Sequence, residues 1–113
     1  MRYMISIYNN DETEQVFADE GGAAGISAAH AAVQAELRAS GELVDTKQLS
    51  DSVAKVVHLR DGAPLVTDGP FSETKEWVGG YYLVECESVD RAVAIAARFV
   101  EGRYAPVEVR AVV

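Results

Sequence analysis

The heptapeptide RYMISIY at Arg2–Tyr8 sets Tyr3, Ile5 and Ile7 on one side of an extended chain and Met4 on the other, beside Ser6. Side chains alternate between the two faces of a strand, so a segment that is largely apolar on both belongs at the centre of a sheet covered on each side. The remaining chain has to supply that cover, and two alanine-rich stretches are suited to it. In ISAAHAAVQAELRAS, Ile26, Ala29, His30, Val33 and Leu37 fall on one stripe of an α-helix, while Gln34, Glu36 and Arg38 fall off it and Gly41 is a stop. In SVDRAVAIAARFVEG, Ser88 is an N-cap, Val89, Ala92, Val93, Ala96 and Val100 form a second stripe, and Gly102 ends it.

The rest of the chain reads mainly as strands. ELVDTKQLS and VAKVVHLR are two of them, and the Arg60-Asp61-Gly62 turn sends the second back into APLVT as a hairpin. VGGYYLVECES at 78–88 is another, whose Gly79-Gly80 pair points to a bulge or a close backbone approach, and PVEVRAVV is the last. Residues 9–25 are acidic and then rich in Gly and Ala, with no firm period, and read as a loop with a loose helical turn. The order is α+β: a ferredoxin-like β-α-β-β-α-β plan with an extra hairpin strand, an antiparallel sheet and both helices on one face. The 113 residues form a single domain, 1–113. Helices on one face leave the other face of an apolar sheet open, and a second copy of the chain covers it most simply. We therefore expect a homodimer through the sheet face.

A formal net charge of −8 gives no electrostatic footprint for nucleic acid. The apolar runs are short and broken by charge, so no membrane span is expected, and the N-terminus lacks the features of a signal peptide. Cys86 is the single cysteine and excludes an intrachain disulfide, so a cytoplasmic location is expected. There is no phosphate-cradling loop, dinucleotide fingerprint or Ser-His-Asp order, and no cofactor is expected.

The candidate site starts from His30, on the apolar stripe of the first helix. A histidine there is either a core residue with one hydrogen bond or a general acid/base facing a pocket beneath the helix. Asp68, in the run LVTDGPFSETKEW, either shapes a turn through its carboxylate or orients His30 by a charge-assisted hydrogen bond. Tyr81 and Tyr82 point to opposite faces of their strand, and one of them can offer a hydroxyl to a pocket. Phe71 is an apolar plug or ligand contact, and Trp77 covers a pocket mouth or packs down. His58 belongs on the solvent side of the hairpin, and two histidines make no metal set. Arg60, Arg103 and Arg110 suit an anion or surface ion pairs. Cys86 has acidic neighbours that work against a nucleophilic thiolate.

RYMISIY, AHAAVQAELRASGEL, VVHLRDG, LVTDGPFSETKEWVGGYYLVE and RYAPVEVR together resemble the YCII-related proteins, in particular the branch carrying the DGPF motif. That resemblance implies a dimeric α+β barrel, and a histidine at the position of His30 acting with an acid in a pocket. It also implies a link to extracytoplasmic-function sigma factors. Where such relatives carry the acid, this chain has Ala39-Ser40, with Glu42 and Asp45 as nearby substitutes. Two functions are compatible with these residues. One is small-molecule binding between helix and sheet, in sigma-factor-linked signalling. The other is a cofactor-free lyase, isomerase or oxygenase using His30 with Asp68.

Overall fold

The computed structural model describes residues 1–18, 22–72 and 74–113. Its elements are β1 (Arg2–Asn9), α1 (Asp11–Ala18), α2 (Gly22–Ser40), β2 (Leu43–Gln48), β3 (Lys55–Arg60), β4 (Ala63–Asp68), β5 (Trp77–Glu85), α3 (Val89–Ala96), a 3₁₀ turn at Val100–Arg103 and β6 (Val107–Ala111). Four strands form one sheet in the order β2-β5-β1-β6, antiparallel at every step, which is compatible with a ferredoxin-like fold. The β3–β4 hairpin is a separate two-stranded sheet inserted between β2 and β5, rather than an additional strand of the main one. Its turn places Asp61 and Gly62 at φ of 53° and 79°, the two left-handed residues of a hairpin turn whose twist suits the strands.

The core lies between the sheet and the helical layer. Tyr3, Ile5 and Ile7 of β1 meet Tyr82 and Val84 of β5, and onto them pack Val33 and Leu37 of α2 with Ala92, Ile95, Ala96 and Phe99 from the α3 region. Ile5, Leu37 and Ile95 are among the largest fully buried side chains, each contributing about 1.5–3 kcal/mol by leaving water.

Three expectations are corrected. Residues 11–18 form α1 instead of a loop, because Asn10 and Thr13 cap each other reciprocally: the Thr13 amide donates to Asn10 Oδ1 at 3.0 Å and the Asn10 amide to Thr13 Oγ1 at 2.8 Å. The first long helix also begins at Gly22, earlier than Ile26. In α3 the buried face is Ala92, Ile95, Ala96 and, just beyond the helix, Phe99, while Val89 and Val93 are exposed. Both stripes have helical spacing, and the one carrying Ile95 and Phe99 removes more apolar surface from water. Ser88 caps α3 as its position suggests, accepting from the Arg91 amide at 3.1 Å.

The Gly79-Gly80 pair does two jobs. The pairing of β1 with β5 shifts between Ile7 and Tyr8, so that Ile7 faces Gly80 and Tyr8 faces Val78, leaving Gly79 as the bulged residue. A Cβ on Gly79 would come within 2.0 Å of Asn9 Nδ2, and one on Gly80 would sit 3.1 Å from the Lys47 carbonyl oxygen.

Across the sheet edge, Arg91 of α3 grips Glu42, which precedes β2, with Nε donating to Oε2 at 2.9 Å and Nη2 to Oε1 at 2.8 Å. The guanidinium lowers the Glu42 carboxyl from its ordinary 4.5 to about 2. A depressed folded-state value means that this stabilisation is fully present above pH 4.5 and is lost as the pH falls towards 2. After screening by solvent it amounts to about 1 kcal/mol. Denaturant titrations of the wild type and Glu42→Gln should therefore differ by that amount at pH 7 and converge as the pH approaches 2. A difference independent of pH would show that the ion pair contributes nothing.

The sheet face away from the helices carries Asp45, Leu83, Met4 and Arg110 in one cross-strand row and Lys47, Tyr81, Ser6 and Glu108 in the next. Its middle is thus mostly apolar, and its two edges carry charges of both signs.

Candidate functional site

α2 carries Leu37 and Val33 into the core, and one turn nearer its N-terminus the same stripe brings His30 over β5. Two further elements meet the ring. β5 presents Tyr82, whose hydroxyl lies 2.7 Å from His30 Nδ1, and the 3₁₀ turn presents Glu101, whose Oε2 lies 2.6 Å from His30 Nε2. Gln34, one turn along α2 from His30, donates from Nε2 to the Tyr82 hydroxyl at 3.1 Å. Phe99 backs the group, its ring stacked on His30 at 5.1 Å and tilted against Tyr82 at 4.6 Å. The result is a continuous hydrogen-bonded chain, Gln34–Tyr82–His30–Glu101.

Counting protons shows what this chain can do. With neutral His30 protonated on Nε2, the ring donates to the Glu101 carboxylate and Nδ1 accepts the Tyr82 proton. With imidazolium both nitrogens donate, so the Tyr82 oxygen receives two hydrogen bonds, from His30 and Gln34, and its own proton is released to another acceptor. The charge of His30 thus decides whether Tyr82 offers a donor outward. Burial raises the Tyr82 phenol above its ordinary range, so it stays a donor at neutral pH. Glu101 is almost fully buried, and its second oxygen, Oε1, has no hydrogen-bond partner.

His30, Gln34, Tyr82 and Glu101 line a cleft of about 490 Å³ between α2 and the sheet. This volume lies within the range of small-molecule sites. Ile26 and Phe17 form apolar wall, Gly80 leaves the floor bare, and Glu14 of α1 and Asp51 after β2 bring carboxyls to the lining. A hydrogen bond to Asp51, reinforced by burial, raises the Glu14 carboxyl above its ordinary range. Among the described residues no group of three or more His, Cys, Asp or Glu is placed to hold a metal ion.

The sequence-derived candidates separate into two groups. His30 and Tyr82 come together on the cleft. Asp68 does not orient His30: it ends β4 on the separate hairpin, where its exposed carboxylate pairs with Lys55 across the ladder. Phe71 is 57% exposed beyond that hairpin, and Trp77 opens β5 opposite Asn9; neither lines the cleft. The substitutes considered for the acid are also committed elsewhere, Glu42 to Arg91 and Asp45 to Lys47 and Tyr81 on the opposite sheet face. His58 is exposed on β3, and Arg110 lies 3.7 Å from Glu108. Glu101 was missed because it lies beyond the last turn of a helix, with no partner nearby in sequence. The available signal was a lone acid closing the apolar run AARFV.

Together these features define an α+β domain with a half-open polar cleft between one helix and an antiparallel sheet. The profile of the YCII-related domain matches residues 1–113. An uncharacterised protein of Rhizobium meliloti (strain 1021) is 32% identical over 94 residues, covering 82% of this chain and 68% of that protein. The chain belongs to the YCII-related family. Among the described residues, no helix is long and apolar enough to cross a membrane.

Proposed function

We propose that the cleft binds a small organic molecule through the Tyr82 hydroxyl, with His30 and Glu101 setting the direction of that hydroxyl's hydrogen bond. The observation that carries this reading is the Glu101–His30–Tyr82 chain opening on a cavity of about 490 Å³. Both ring nitrogens of His30 are held by protein groups, so a ligand meets His30 through Tyr82. In this reading His30 is a positioning residue, held in turn by Glu101 Oε2.

The TDGPF run at 67–71 supports placing the chain in the DGPF branch, and with it a sensor role in sigma-factor-linked signalling in the cytoplasm. The mostly apolar open face of the sheet supports pairing with a second copy. A second reading, proton-transfer catalysis of lyase, isomerase or cofactor-free oxygenase type, is favoured by the 2.6 Å contact of His30 with a buried carboxylate. There His30 would relay a proton through Tyr82, with Glu101 in the role first considered for Asp68.

A thermal-shift screen against a metabolite library tests the binding reading. A hit should raise the wild-type midpoint by several degrees. The shift should vanish in both Tyr82→Phe and His30→Ala and persist in His58→Ala. A library without a single hit dependent on His30 would count decisively against a ligand site. Consumption of the hit, followed by mass spectrometry and abolished in Glu101→Gln, would move the assignment to catalysis.

A further inference from the structure

We infer that the cleft selects a small molecule carrying a protonated amine on an apolar body; this deepens the proposed function and rests on the cleft being a ligand site. The charged side chains available to an occupant are acidic. Glu14, Asp51 and Glu101 are among the lining residues. Lys47 also borders the cavity, but its ammonium bonds Asp45 Oδ1 at 2.5 Å, and cross-strand pairing with Tyr81 puts its side chain on the opposite face of the sheet.

An independent observation agrees. Glu101 is 6% exposed, its Oε2 is taken by His30, and Oε1 is buried with no partner. An acceptor removed from water and left unpaired is a standing demand for a donor, and an ammonium N–H next to a carboxylate is among the strongest available. A carboxylate or phosphate ligand would instead bring like charge to an acidic lining and leave that oxygen unpaired.

The rest of the lining selects the body of the ligand. Phe17, Ile26 and Leu49 contribute apolar surface, and the cavity of about 490 Å³ exceeds what a bare ion needs. A hydrocarbon or aromatic group bearing one amine satisfies both halves of the site. The closeness of Glu14 and Asp51 fits the same picture, because a cation nearby would relieve the interaction that raises the Glu14 carboxyl.

Three probes of similar shape separate the possibilities: 2-phenylethylamine, 3-phenylpropan-1-ol and 3-phenylpropanoate. Each is titrated into the ¹⁵N-labelled full chain at pH 7 and followed by amide shifts. The amine should move the amides of Ile26, His30 and Tyr82 and bind about tenfold or more tightly than the carboxylate. Its advantage over the alcohol should narrow in Glu101→Gln and in Glu14→Gln/Asp51→Asn. If the alcohol or the carboxylate binds the same amides as tightly as the amine, the cationic preference is overturned and the cleft reading stands. If no probe moves those amides, or shifts appear only elsewhere, both the preference and the cleft reading fall.

Discussion

Glu101→Ala is expected to lower the stability of the fold by about 2–3 kcal/mol, and to disorder the His30 ring as well. The substitution removes the acceptor 2.6 Å from His30 Nε2 and takes a nearly fully buried side chain out of the fold. Loss of a buried charged partner costs up to about 5 kcal/mol, but two factors reduce it here. The Glu101 carboxyl is buried with one oxygen unpaired, so its removal recovers part of its own desolvation cost. His30 is partly solvent-accessible, so water replaces some of the lost interaction. Glu101→Gln keeps the shape and isolates the effect of charge. Long-range ¹H–¹⁵N correlation of the His30 ring reads the consequence directly, because the carboxylate acceptor on Nε2 sets which nitrogen is protonated. The ring pattern should change in Glu101→Gln and broaden in Glu101→Ala, with ligand affinity reduced at least tenfold in both. Variants within about 0.5 kcal/mol of wild type and with an unaltered His30 spectrum would show that Glu101 is a bystander.

The chain is expected to have twice the mass of one copy in light scattering at micromolar concentration, and Leu83→Arg to convert it to monomer. Met4, Leu83 and Tyr81 occupy the middle of the open sheet face, with Asp45 and Lys47 along one edge and Glu108 and Arg110 along the other. An apolar centre with a polar rim is how stable interfaces are arranged. A two-fold axis uses each substitution twice, so an arginine at position 83 places two unpaired charges in the buried centre. A dissociation constant raised by roughly 100-fold or more follows from about 3 kcal/mol of lost association energy. Val57→Lys, on the exposed hairpin strand, should leave the mass unchanged. Wild type running as a monomer would refute the pairing outright, and a dimer insensitive to Leu83→Arg but lost in Val57→Lys would move the interface to the hairpin.

Much of the local architecture was legible in the residues. The RYMISIY strand, the turn at Asp61-Gly62, the Ser88 cap and the bulge at Gly79 each depend on chemistry within a few positions, and each occurs where those residues place it. The α1 cap was equally local, but the Asn10–Thr13 pair is a short signal lost inside an acidic, glycine-rich stretch. For α3, two stripes of the same period competed. The choice between them depended on which side chains filled the volume under Leu37 and Ile5, and periodicity carries no information about that volume.

The site divides along the same line. His30 was readable as a polar residue on an otherwise apolar helical stripe, and Tyr82 as one of two tyrosines that alternation must send to opposite faces. Its acid was not readable. Glu101 lies 71 positions from His30, and the two meet only because the crossover of α3 returns the chain across the sheet beside α2. Asp68 is closer in sequence, yet it is carried away on a hairpin that never joins the four-stranded sheet. The sequence alone determined the main strands, the hairpin turn, the Ser88 cap and the placing of His30 and Tyr82, the two cleft-lining candidates whose neighbours reveal their orientation, because those depend on short-range stereochemistry. Tertiary structure decided which carboxylate reaches the imidazole, because a hydrogen bond is set by distance in space and the packing of distant elements creates that distance.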